Sequence, residues 1–205
     1  MTIKKLTLLA VTALSLSAFA LPVTASAAEF THRGNPVPEV GESEIYVGTL
    51  TLEAPDGTGG RTGWNCEQVR AEVMFQPESA SIDSWQAEGC ESFGYINTIG
   101  CHVEKMEFGY MPWQLSIDAP DQLQSSEWEF DIYEQAGCGL PGFGNGGVNG
   151  WAADPTVSPG NGGPSLEVLK VHDPEARNWM FGRADLNAEL QATWEGEGEG
   201  EFELH

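Results

Sequence analysis

The densest concentration of possible chemistry in this chain is Glu129-Phe130-Asp131-Ile132-Tyr133-Glu134, three carboxylates within six residues. Carboxyls sharing one site can divide the work of nucleophile or base from that of acid, because each environment sets its own proton affinity. The spacing here is that of a strand. Trp128, Phe130 and Ile132 share one face, and Glu127, Glu129 and Asp131 share the other. An amphipathic helix would leave Phe130 off the face that Trp128 and Ile132 share, so its period does not fit. Glu134 falls out of phase with Glu129, and a bulge at Tyr133 would be needed to return it to that face. An ordinary strand with a solvated acidic face is the plainer reading of the same residues, and the first choice.

The pattern E-x-D-x-x-E resembles the active-site strand of the laminarinase and lichenase family of retaining glycosidases, which are secreted β-sandwiches. The resemblance covers these six residues. It implies Glu129 as nucleophile, Asp131 as the group that orients it and Glu134 as general acid/base, acting on β-glucans or galactans. A retaining mechanism requires the two working carboxyls to lie about 5–5.5 Å apart. Other catalytic signatures do not occur: there is no G-x-S-x-G, no G-x-x-x-x-G-K-[ST] and no H-E-x-x-H. His32, His102, His172 and His205 are scattered along the chain and read as surface or cross-strand residues.

Two further groups could bind rather than react. Phe143 and Trp151 lie in a Gly/Pro-rich stretch, where an exposed aromatic can stack on a sugar ring or an apolar ligand, or else pin the loop to the body. Pinning is the reading preferred for both. The closing run alternates Glu195, Glu197, Glu199, Glu201 and Glu203 with Gly and then Phe202 and Leu204. As a strand it would present a ladder of carboxylates that attracts cations, with weak calcium binding as its furthest extension, while Phe202 and Leu204 face the core. No cofactor and no specific metal site is expected.

Such residues need a frame, and the chain describes one. Of 205 residues, the first 27 have the form of a secretory signal: Lys4-Lys5, an apolar run from Leu6 to Leu21 and Ala25-Ser26-Ala27. That leaves 28–205 as one secreted domain, periplasmic or extracellular. Cys66, Cys90, Cys101 and Cys138 are then expected as two disulfides rather than a zinc site, since no C-x-x-C pair occurs. Short alternating runs follow at Ile45–Leu52, Val69–Phe75, Ala80–Trp85, Cys101–Met106, Trp113–Ile117, Glu127–Tyr133, Leu166–Val171 and Leu186–Trp194. If Pro77-Glu78-Ser79 turns a hairpin, Cys66 comes to face Cys90. This favours Cys66–Cys90 with Cys101–Cys138. The lead from Glu29 to Gly41 is expected to lie loosely on the surface. Residues 139–164, dense in Gly and Pro with Asn-Gly pairs at Asn145, Asn149 and Asn161, are expected to hold no regular element. No helix is expected. The fold class is all-β, an antiparallel sandwich or barrel-like domain of about 8–10 strands.

Charge narrows the partners. The formal net charge is −22, with 31 Asp and Glu against 9 Lys and Arg. A chain so acidic repels phosphate backbones and anionic lipid, so neither nucleic acid nor an anionic membrane is expected, whereas cations are. Finally, the Cys90-Glu-Ser-Phe-Gly-Tyr loop, Cys101 and the Met111-Pro112-Trp113-Gln114-Leu115 strand resemble small exported bacterial β-proteins of the group called protein activator of alkane oxidation. That resemblance spans about residues 45–138 and the closing strand. It implies an exported accessory or surface-associated protein, without catalytic residues to carry over. The sequence therefore points first to a secreted, non-catalytic accessory or binding protein. A retaining glycosidase comes second, and a surface protein that self-associates through cations third.

Overall fold

The computed structural model describes residues 28–119, 121–125, 127–134, 148–178, 182–193 and 202–205. The described chain is almost entirely antiparallel strand, as the alternation predicts. Its strands are β1 (Phe30–His32), β2 (Asn35–Pro36), β3 (Glu42–Pro55), β4 (Arg61–Gln76), β5 (Ser79–Phe93), β6 (Val103–Gly109), β7 (Trp113–Ala119), β8 (Gln122–Ser125), β9 (Trp128–Glu134), β10 (Val148–Ala153), β11 (Thr156–Pro159), β12 (Val168–Asn178), β13 (Gly182–Ala192) and β14 (Phe202–Leu204). One short helix, Tyr95–Thr98, interrupts them where none was expected.

Eight strands close into a barrel. Around the ring the order is β3-β4-β5-β7-β8-β11-β12-β13, and β13 returns to pair with β3. Closure removes the free edges that an open sheet would expose. The long strands β5 and β12 outrun this ring. β5 pairs with β7 only through Ser79–Ile82, and β12 meets β11 through Leu169–His172. Beyond that, β12 passes at Arg177 to β10, which continues through β9 to β6. This second leaf packs back over β5, with Phe108 of β6 against Trp85 and Met106 Sδ 3.4 Å from Cys66 Sγ.

Side-chain phase explains the core. In β4 the apolar set Val69, Ala71, Val73 and Phe75 is buried and Arg70 is exposed. The β4–β5 hairpin holds a finding that composition does not show. From the turn, Gln76 faces Ser79 and Val73 faces Ile82, a register that would set Cys66 against Gly89. One extra residue, Asp83, bulges out of β5 and shifts everything downstream by one. Ile82 points inward before it and Trp85 inward after it, and Cys66 meets Cys90, to which it is disulfide-bonded. Two disulfides were expected, and this one lies among the described residues. The other expected pairing falls on Cys138, outside them; Cys101 is buried, and no free cysteine occurs among the described residues.

Two expectations about irregular segments fail. The lead is not loose: β1 pairs with β14 and β2, Phe30 and Val37 are buried, and Phe30 and Phe202 both pack on Phe75, so this small sheet plugs one end of the barrel. Its ends are tied by Glu29 N–H to His205 O at 2.9 Å and His205 N–H to Glu29 O at 3.0 Å. The Gly/Pro-rich stretch contributes β10 and β11, because ladder hydrogen bonds and neighbours on both sides override weak local propensity. Gly48 has a specific task at the β3–β13 contact, where a Cβ would meet the Glu189 carbonyl oxygen at 1.8 Å. Among the described residues no helix is long and apolar enough to cross a membrane.

Candidate functional site

Where the ring wall (β7) and the second leaf (β9) part company, they leave an open cleft of about 820 Å³. Its base is aromatic. Trp113 lines it and stacks on Trp128 at 4.2 Å between ring centroids, with Trp85 edge-on to Trp128 at 5.4 Å. Hydrogen bonds hold Trp113 and Trp128 in place: Trp113 Nε1–H to Gly109 O at 3.0 Å, Trp128 Nε1–H to Ser125 Oγ at 2.7 Å, and Ser125 Oγ–H to Gln114 O at 2.7 Å. Two χ angles, a packed face and a bonded N–H leave such an indole little freedom.

Polar groups surround that base. Glu129, Ala152 and Arg177 lie side by side across β9, β10 and β12, so an acid and a base flank a residue too small to fill the space between them. Gln114 of β7 and Glu127 at the start of β9 form the sides, and Tyr110, 81 % exposed, stands at the rim. Asp154 organises the far side. Its carboxylate accepts the Glu127 N–H at 2.9 Å and Arg177 Nη2–H at 3.1 Å, and its own N–H donates to Asp173 Oδ2 at 2.7 Å.

Tyr110 and Glu127 both adopt left-handed backbone conformations, at φ 57° and 62°. Such geometry costs a non-glycine residue of order 1–3 kcal/mol and persists only where the surroundings impose it. For Glu127 the imposing group is Asp154. Two of the three non-glycine residues with positive φ among the described residues thus sit on one cleft.

The three acids singled out from the sequence separate. Glu129 is exposed and lines this cleft. Asp131, on the same strand face, lines a different groove of about 520 Å³ between β5 and β6, with Glu107, Glu88 and Phe108. Glu134 points the other way and is buried at 0 % exposure on the inner face with Phe130 and Ile132. No bulge occurs at Tyr133, since β9 and β10 pair without interruption from Trp128 to Tyr133; the irregularity on the other side belongs to β6, between Val103 and Lys105. Burial pushes the Glu134 carboxyl above its ordinary pKa, opposed by hydrogen bonding with Trp64.

Trp151, expected in a loop, is a core residue of β10, 2 % exposed, edge-on to Trp64 and parallel to Phe130. Phe143 and most of the acidic ladder, Glu195 to Glu201, lie outside the described residues; Phe202 and Leu204 are buried, as the alternation predicts. Among the described residues no three His, Cys, Asp or Glu side chains come together to hold a metal ion. Sequence reasoning missed Tyr110, Gln114, Glu127, Asp154 and Arg177 as a site. Two signals were there to be read: the break Gly109-Tyr110-Met111-Pro112 between alternating runs, and Arg177 as one of few cations in an acidic chain. No protein-family model, curated protein or solved structure matches the chain.

Proposed function

We propose that this is an exported, non-catalytic binding protein whose ligand occupies the cleft between β7 and β9. The observation that carries this reading is the scattering of Glu129, Asp131 and Glu134 to a cleft, a separate groove and the core. The retaining mechanism that the E-x-D-x-x-E strand implies needs Glu129 and Glu134 on either side of one bond, and strand phase sends Glu134 to the opposite face of the sheet from Glu129. The cleft is instead built for holding. It has a stacked indole base, a bonded polar rim and backbone strain absorbed by Asp154, the pattern of a preorganised ligand site. The resemblance to exported accessory proteins points the same way, and the Pro112-Trp113-Gln114 part of the segment that carries it lines this cleft.

The test is hydrolysis of a panel of β-glucans and galactans by the purified protein beside Glu129→Gln. Neither is expected to release reducing ends. Release by the native protein that disappears in Glu129→Gln would make it a glycosidase and overturn the reading.

A further inference from the structure

The chemistry of the cleft narrows what it can hold, on the reading that it is a ligand site. An anionic ligand meets Glu127, Glu129 and Asp154 in the lining and a whole-molecule charge of −22 behind them. An apolar ligand finds no exposed aliphatic side chain in the lining larger than Pro112 and Ala152. A small cation would be drawn to Glu127 and Glu129, but an organic cation long enough to fill about 820 Å³ must also cross Arg177. A neutral, hydroxyl-rich ligand meets none of these penalties.

The lining also supplies what hydroxyls and sugar rings require. Glu127 and Glu129 accept hydrogen bonds, Gln114 both donates and accepts, and Arg177 keeps further N–H groups beyond the one given to Asp154. Planar carboxylate, amide and guanidinium groups each meet two adjacent hydroxyls at once. The C–H face of a pyranose ring is apolar and packs on an aromatic face. Tyr110 is the aromatic residue that the cleft leaves open, 81 % exposed and fixed in a left-handed backbone conformation at the rim. The volume is that of a small-molecule site with room for an oligosaccharide segment.

We propose that the cleft binds a neutral saccharide chain, with Tyr110 stacking on a sugar ring and Gln114, Glu127, Glu129 and Arg177 bonding its hydroxyls. Titration calorimetry of the full protein tests this with laminarin, mixed-linkage β-glucan, galactan and dextran as neutral probes, polygalacturonate as an anion and spermidine as a cation. At least one neutral probe should bind, with little change in affinity between about 0.05 and about 0.5 M NaCl, because no net charge is exchanged. Tyr110→Ala should weaken binding about tenfold or more, and Tyr110→Trp should retain it. Arg177→Gln and Glu129→Gln should each weaken it while the urea midpoint stays close to the native value.

No binding of any neutral probe, or binding indifferent to Tyr110→Ala, overturns the inference. Spermidine or polygalacturonate bound in place of the neutral probes, steeply salt-dependent and lost in Glu129→Gln or Arg177→Gln, would overturn the neutral saccharide but keep the cleft as a ligand site. Hydrolysis of a bound glucan would do the reverse, keeping the saccharide and overturning the non-catalytic reading.

Discussion

Glu134 shows how one residue of phase decides between chemistry and cost. A single extra residue in β9 would have carried it beside Glu129; without one, it lies in the core against Trp64. Its raised pKa is a statement about stability. Below the ordinary value of 4.5 the carboxyl is protonated in both folded and unfolded chains and costs nothing. As pH rises, the unfolded chain ionises first, so stability falls until the folded group ionises too, and the penalty is constant from there upward. Glu134→Gln should therefore match the native protein in urea at pH 4 and exceed it at pH 7. A native protein that gained stability over Glu134→Gln across that interval would contradict the buried placement. Asp154 is the opposite case, a carboxylate whose bonds to Glu127, Arg177 and, through its own N–H, Asp173 keep it useful where it stands.

Among the elements, the β4–β5 hairpin and its bulge decide which residue meets Cys66. Asp83 is the unpaired residue of that bulge, so deleting it leaves the pairing on both sides as it is, and Cys66 still faces Cys90. Deleting Gln86, four residues short of Cys90, would draw Glu91 opposite Cys66 and turn Cys90 away. Alkylation and mass spectrometry under non-reducing conditions should find the Cys66–Cys90 bridge in the first deletion and lose it in the second. The second should also forfeit the bridge's stabilisation, about 3 kcal/mol for a separation of 24 residues. Both deletions keeping the bridge would show that the register is not what sets the pair. The same hairpin marks how far the sequence can be read. Val69 to Phe75 alternate cleanly and declare their face, whereas the bulge at Asp83 has no compositional sign and surfaces only because two cysteines must meet. β10 escaped notice because Gly, Asn and Ala disfavour strands locally, and only the ladders to β9 and β12 hold it. The cleft was hidden for a related reason: its residues come from β7, β9, β10 and β12 and the links between them, so no spacing along the chain brings them together.

Across the whole molecule, charge works against compactness. Few of the 31 carboxylates have a cationic partner to meet, and the ion pairs Arg177–Asp154 and Lys105–Glu107 are exposed. Raising monovalent salt from about 0.02 to about 0.5 M should therefore raise the melting temperature by screening that repulsion, since the Debye length falls well below the molecular radius. A melting temperature that drops with salt would mean that attractive pairs dominate. Calcium addresses the self-associating alternative. The ring is closed, and β6, at the open edge of the second leaf, carries Glu104, Lys105 and Glu107, charged side chains of the kind that blunt an edge, so sedimentation should be the same with and without millimolar calcium. A faster boundary with calcium would favour assembly.

Ring closure also has a consequence in time. β3 is completed by β13, and β1 by β14, so early strands wait for the latest ones. A chain delivered from its N-terminal end can form the β3–β4–β5 meander at once, but it cannot seal a core until nearly all of it has arrived. Contacts so distant in sequence form slowly. On the proposed reading of an exported protein, that delay keeps the core unsealed while the chain threads through a narrow passage.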